Sequence, residues 1–192
     1  MRENFSEYYE FEELLDGAFE LKRKKEISWP KTGKNARVGS EAEEIFGKRN
    51  WREMVGFKLT ILDCSFPHNL EWFPVDAAAY YLPAFLMRAA LDLYNESESE
   101  FPLTIAEGLL LPLSDNLAAE IDETLSPYGS VSQFPNGRVS LYKSLNSEQR
   151  RCVAAYLTLF WKDYEGGHDA VTTKRAGELF QAIVQAWQES SF

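Results

Sequence analysis

The chain has 192 residues and a formal net charge of −10, and 14% of its residues are aromatic. A single domain of this size buries on the order of 70% of the surface that its unfolded chain exposes, so stability requires neither a metal nor a disulfide. The acidic balance argues against a nucleic-acid partner, because phosphate contacts require a basic face. The longest uncharged apolar run, Ala77 to Met87, is shorter than the roughly 20 residues of a membrane helix.

The two cysteines, Cys64 and Cys152, are isolated and form no Cys-x-x-Cys pair. A reduced, cytoplasmic setting is therefore the simplest expectation. The opening residues 1–13 contain no apolar segment of the kind that a signal peptide carries. We expect a cytoplasmic protein that exists as a monomer or a homodimer.

The acidic charge is concentrated in the middle of the chain. Residues 1–58 carry 12 acidic and 12 basic side chains, residues 59–137 carry 12 acidic and one basic, and residues 138–192 carry 6 acidic and 7 basic. The middle segment thus has a net charge of −11. Such a segment suits a basic protein partner, because opposite charge steers association. Charge that serves only solubility is the alternative explanation.

The first predicted element is an amphipathic helix from Phe5 to Lys24. Its apolar residues recur at helical spacing, and they include Tyr8, Phe11, Leu15 and Ala18. The basic run at 22–25 places positive charge at the carboxyl end, where it suits the helix dipole.

The chain is predicted to form one domain over residues 1–192. This domain comprises the N-terminal helix at 1–25, a connector at 26–39 that contains Trp29-Pro30 and two glycines, and a main body at 40–192.

Two short helices are predicted to open the main body. Ser40 and Glu43 form a capping box for the first, which runs to Phe46 and is ended by Gly47. Asn50 is placed to cap the second.

Residues 76–94, DAAAYYLPAFLMRAALDLY, are predicted to form a helix that is apolar, and therefore buried, on all sides. Arg88 and Asp92 are four residues apart and can pair. Pro83 removes one backbone donor near the middle, at a cost of roughly 3 kcal/mol. One kinked helix is favoured over two separate helices, because Leu82 would be a poor N-cap for the second.

Two further helices are predicted after this long helix. Thr104 and Glu107 form a capping box for one of them. Ser114 or Asp115 caps the other, which extends through Leu125.

The C-terminal part contains one turn signal and two more helix patterns. Asn136-Gly137 is a hairpin signal between short β-prone segments, so the sequence admits one small β-hairpin. Asn146 and Gln149 form a capping box for a helix that ends at Gly166-Gly167. The last helix runs from Thr173 to about Glu189. The fold class is therefore mainly α, with six or seven helices around the long, Pro-kinked helix.

Two segments, Tyr80 to Leu86 and Ser144 to Leu157, carry a family resemblance. The chain resembles an uncharacterised bacterial family of the domain-of-unknown-function kind, in which a Tyr-Leu-Pro-Ala segment precedes a Leu-Thr-x-x-Gln helix start. The matched positions are Tyr81, Leu82, Pro83 and Ala84 in the first motif, and Leu145 and Gln149 in the second. Asn146 departs from the family's Thr, although Asn caps a helix equally well. The resemblance implies a small, mostly helical bacterial protein and implies no activity.

The candidate metal and catalytic patterns are weak. Cys64 and His68 have the spacing of a metal pair on a helix, but Pro67 forbids a regular helix there. His168 follows two glycines as in metal hydrolases, but the sequence lacks the further histidines that such a centre needs. No G-x-S-x-G elbow and no G-x-G-x-x-G loop occur. We expect no catalytic residue, no metal and no cofactor.

The acidic middle segment leads to the favoured functional interpretation. It predicts a non-enzymatic binding protein, with an immunity or antitoxin-type protein that engages a basic toxin as its most concrete form. The predicted partner-binding residues are Glu96, Glu98, Glu100, Glu120, Asp122 and Glu123.

The alternative is a small-molecule-binding module or an enzyme with a pocket beside the helix at 76–94. Four side chains would line that pocket, namely Trp72, Tyr80, Tyr81 and Arg88.

Overall fold

The computed structural model describes residues 5–21, 27, 29, 42–55, 74–95, 101–111, 135–164 and 170–189. This part of the chain is mainly helical and contains no β-strand, which confirms the predicted fold class. Its helices are α1 (Phe5–Ala18), α2 (Trp51–Val55), α3 (Val75–Tyr94), α4 (Phe101–Gly108), α5 (Pro135–Ser144), α6 (Ser147–Tyr164) and α7 (Ala170–Gln188). Residues 42–46 form a further helical segment before α2.

Helix α3 lies at the centre of the fold. It packs against α1, α2, α4, α5 and α6, and α7 packs on the far side of α6. Its buried residues occur on every side of the helix, and small side chains such as Ala78 and Ala84 let neighbouring helices approach closely. Side chains from all these helices join one hydrophobic cluster.

Pro83 lies inside a continuous α3 and is buried there. The prediction of one helix, as opposed to two, is confirmed. The helix begins at Val75, so Asp76 lies in its first turn and is not the N-cap. Pro74 is the N-cap residue, and its side chain makes no capping hydrogen bond.

The predicted pairing of Arg88 with Asp92 is confirmed, with Nε and Oδ1 3.1 Å apart. The Asp92 side chain is 8% exposed and that of Arg88 is 40% exposed. The pair therefore lets a carboxylate lie in the core while its cation reaches solvent.

Burial is the main cause that raises the pKa of Tyr156 well above its ordinary value, and the negative charge of Asp92 adds to it. Tyr156 thus stays a neutral donor, and its hydroxyl lies 2.7 Å from the carbonyl oxygen of Pro102.

Several large polar-tipped side chains satisfy backbone carbonyls near helix ends, which lack partners within the helix. Trp187 Nε1 donates to the carbonyl of Leu109, 2.9 Å away, just beyond α4. The buried Arg138 donates to the carbonyls of Glu107 and Gly108 at the end of that helix, at 3.2 and 3.3 Å. These bonds join α5 and α7 to α4.

The predicted hairpin at Asn136-Gly137 is wrong, because both residues lie in the first turn of α5. Pro135 starts this helix, and proline suits the first position because no N–H is needed there. The buried residues that follow have helical spacing and are Arg138, Leu141, Tyr142 and Leu145. Burial of this face overrides the local turn preference.

Three other predicted boundaries differ from the structure. Helix α1 ends at Ala18 and not at Lys24, and the chain then bends so that Phe19 is buried. Helix α4 begins at Phe101, with Pro102 in its first turn, so Thr104 does not cap it. Helix α7 begins at Ala170, before the predicted Thr173. The predicted caps Ser40, Ser114 and Asp115 lie outside the described residues.

The predicted capping box at Asn146 and the predicted cap at Asn50 are both confirmed. The Asn146 side chain accepts from the Gln149 N–H at 2.9 Å, and the Gln149 side chain accepts from the Asn146 N–H at 3.0 Å. Asn50 and Glu53 form the same reciprocal pair, at 3.0 and 2.9 Å. Each box satisfies backbone donors that a helix start leaves open.

We expect Pro83→Ala to preserve the fold and to raise the free energy of unfolding by about 1 kcal/mol. Alanine restores a helical donor worth roughly 3 kcal/mol, whereas the loss of two buried carbons costs about 0.8 kcal/mol each. Urea denaturation followed by circular dichroism measures the difference. Loss of folding in this variant would mean that the proline geometry itself is required to close the core.

We expect Asn146→Ala to lower the free energy of unfolding by about 1 kcal/mol, because the cap of α6 is lost. Asn146→Asp is the matched control and should retain most of the stability, since aspartate caps as well as asparagine. Equal thermal stability of the alanine variant and the unaltered protein would contradict a stabilising role for this box.

Candidate functional site

The predicted partner-binding carboxylates lie outside the described residues. This holds for both clusters, Glu96, Glu98 and Glu100 in the first and Glu120, Asp122 and Glu123 in the second. Their role stays a prediction from sequence. The structure instead describes an acidic surface elsewhere, on α1.

Residues 5–21 contain six carboxylates and no basic side chain. The six are Glu7, Glu10, Glu12, Glu13, Asp16 and Glu20. The net charge of residues 1–58 does not reveal this surface, because the basic run that begins at Lys22 offsets the carboxylates. The charge of the helix alone indicates it.

Neighbouring helices neutralise the flanks of this acidic helix. Lys162 of α6 binds Glu7 at 2.7 Å on one flank. Arg52 of α2 binds Glu12 at 2.8 Å and Asp16 at 2.5 Å on the other. Helix α6 also packs against α1, as does the central helix α3. The two cations therefore offset part of the negative charge on the flanks of α1.

The outward face of α1 stays acidic. Glu10 and Glu13 are exposed, and no cation of the described part of the chain pairs with either. Phe11 and Leu15 lie on the opposite, buried side, at 4% and 0% exposure. We name the solvent side of this helix, with Tyr9, Glu10 and Glu13, the α1 face.

An exposed aromatic ring lies in the α1 face. Tyr9 is 59% exposed, and its ring meets the Tyr8 ring edge to face at 5.8 Å between centroids. Tyr8 in turn meets Tyr94, at the end of α3, at 5.4 Å in the same geometry. Burial and the nearby Glu12 carboxylate raise the pKa of Tyr8, so its hydroxyl stays neutral. Three rings thus connect the α1 face to the central helix.

The described residues that were predicted to line the alternative pocket beside α3 do not form one. Tyr81 is fully buried, and its hydroxyl donates to the carbonyls of Phe46 and Arg49. The hydroxyl of Tyr80 donates to the carbonyl of Leu21, and Arg88 pairs with Asp92. These side chains hold helices together. Trp72 lies outside the described residues.

A small cavity lies between α4, α6 and α7. Its volume of about 10 Å³ is near the least that one water molecule requires. Most of its lining is apolar, with Leu110, Phe160, Trp161 and Phe180 among the residues and Glu107 as the carboxylate. This space is too small for a metabolite.

Cys152 is the candidate nucleophile that the structure describes. It is fully buried in α6, and burial raises the pKa of its thiol to about 12. A buried, protonated thiol is a poor nucleophile. Within the described ranges, no cluster of His, Cys, Asp and Glu side chains has the arrangement of a metal site. Cys64, His68 and His168 lie outside those ranges.

The comparisons with known proteins return no relative. No protein-family model matches the chain, and no curated protein or solved structure matches it significantly. The resemblance carried by Tyr81 to Ala84 stays a prediction. None of the described helices combines the length and the apolar character that crossing a membrane requires.

We expect Tyr81→Phe to lower the free energy of unfolding by about 1–2 kcal/mol, because the buried carbonyl of Phe46 and the part-buried carbonyl of Arg49 lose the hydroxyl that they share. Tyr80→Phe is the matched control and should have a smaller effect, since its bond is exposed to solvent. Thermal melts of both variants measure the difference. Equal stability of Tyr81→Phe and the unaltered protein would contradict the structural role and reopen the pocket interpretation.

Proposed function

We propose that the protein is a non-enzymatic binding protein that engages a basic protein partner through an acidic surface. The unneutralised α1 face, with Glu10 and Glu13 exposed, is the observation that carries this proposal. The net charge of −11 in residues 59–137 supports it as well. An immunity or antitoxin-type protein that covers a basic toxin in the cytoplasm is the form of this function that we favour.

The physical basis of the proposal is electrostatic steering. Carboxylates gathered on one surface raise the association rate of a basic partner by roughly 10- to 1,000-fold at low salt. Added salt screens this attraction over roughly 8–10 Å. The α1 face, where no cation of the described residues pairs with Glu10 or Glu13, keeps more of this field than the flanks, where Lys162 and Arg52 pair with carboxylates of α1.

The buried side chains favour binding over catalysis. Tyr81 and Tyr156 use their hydroxyls on backbone carbonyls, and the Cys152 thiol is buried with a raised pKa. The described cavity holds about one water molecule. These features favour a protein that acts by binding a partner at its surface.

The proposal predicts how association responds to charge reversal. Proteins captured by the tagged full chain would be identified by mass spectrometry, and a basic candidate would be purified and mixed with the chain in stopped-flow experiments. We expect the association rate to fall as ionic strength rises. The double variant Glu120→Lys/Glu123→Lys should slow association more than it speeds dissociation, because charge acts mainly on encounter.

The matched control is the double variant Glu44→Lys/Glu178→Lys, which changes the net charge equally at exposed positions of the described chain. A purified partner whose association is insensitive to salt would overturn the proposal. Equal effects of the two double variants would mean that only the net charge of the chain affects association. Glu120 and Glu123 would then not belong to the binding surface.

A further inference from the structure

The α1 face combines an exposed aromatic ring with two carboxylates that pair with no cation of the described residues. Tyr9 is the most exposed of the large hydrophobic side chains in the described part of the chain, at 59%. Glu13 is one helical turn from Tyr9, and residues at this spacing lie side by side, with Cβ atoms about 5–6 Å apart. Glu13 is also one turn from Glu10, at the i, i+3 spacing. A partner group that contacts the Tyr9 ring is therefore also close to a carboxylate.

We propose that Tyr9 is the anchor of the partner-binding surface, and that it receives an arginine side chain of a basic protein segment. This inference rests on the proposed function and adds a residue and a chemical class to it. A guanidinium group stacks on an aromatic face while its N–H groups remain free to bind a carboxylate. Tyr9 offers the ring, and Glu10 and Glu13 offer the carboxylates.

The tyrosine contacts prepare Tyr9 for this role. Its ring meets Tyr8 at an interplanar angle of 71°, and Tyr8 meets Tyr94 at 78°. Edge-to-face pairs of this kind are favourable, so they limit the orientations that the exposed ring adopts. A ring held in place loses little conformational freedom on binding, and tyrosine is for this reason enriched among the residues that dominate interfaces.

Charge complementarity identifies the occupant. A second acidic face would be repelled, and an apolar partner would have to desolvate Glu10 and Glu13 without pairing them. Lysine would satisfy the carboxylates, but its compact ammonium group stacks less well on a ring than a guanidinium does. The combination of ring and carboxylates therefore favours arginine over lysine.

The test compares two labelled probes by fluorescence anisotropy, an oligoarginine peptide and an oligolysine peptide of equal length, on the full chain. We expect oligoarginine to bind more tightly. Tyr9→Ala should weaken oligoarginine binding roughly two- to fivefold and oligolysine binding less. Tyr9→Phe keeps the ring and should leave both affinities unchanged. Circular dichroism confirms that each variant is folded.

A second pair of variants separates the anchor from the acidic surface. Glu10→Lys/Glu13→Lys should weaken both peptides more than the control Glu44→Lys/Glu178→Lys does. If it does so while Tyr9→Ala changes neither affinity, the arginine anchor is wrong and the proposed function stands. If the two double variants act equally, docking on the α1 face is wrong. If neither peptide binds the unaltered chain, both the anchor and the acidic binding surface are overturned.

Discussion

Burial of α3 on all sides is the constraint on which the rest of the structure depends. A helix that is apolar all round must be surrounded, and α1, α2, α4, α5 and α6 surround it. Each of these helices contributes apolar side chains to the common cluster, and α6 packs against α7 as well as against α3. Several of these helices also bury large rings in the same core, such as Trp51, Tyr142 and Tyr156.

Packing helices this closely brings their ends into the core, where backbone carbonyls lose water. The chain meets this requirement with long polar side chains that come from other helices. Trp187 reaches the carbonyl that follows α4, and Tyr81 reaches the carbonyl of Phe46 at the end of a helical segment. Each such bond fixes one helix end relative to another helix. The polar ends of Trp187 and Tyr81 and the buried Arg138 therefore determine how the helices are arranged, while apolar burial supplies most of the driving force for folding.

The sequence predicted the features that depend on local chemistry or on strong periodicity. The box at Asn146 and the cap at Asn50 follow from hydrogen bonds within four residues, and the burial of α3 follows from its composition. The hairpin at Asn136-Gly137 failed because its turn preference competes with burial of Arg138, and that residue's acceptors lie about 30 residues away in sequence. The α1 face could have been predicted from charge within one helix. Its flanking cations could not, because Arg52 and Lys162 come from distant segments.

The same packing that orders the core also explains why charge remains on one side of α1. The cations that contact this helix come from α2 and α6, and they pair with Glu7, Glu12 and Asp16. Glu10 and Glu13 are exposed, and no cation of the described residues pairs with either. Mutual repulsion of these carboxylates, one turn apart, weakens the helix slightly. The burial of Phe11 and Leu15 more than offsets that repulsion. The core thus stabilises a helix whose exposed carboxylates repel each other, and a cation that bound to them would reduce that repulsion.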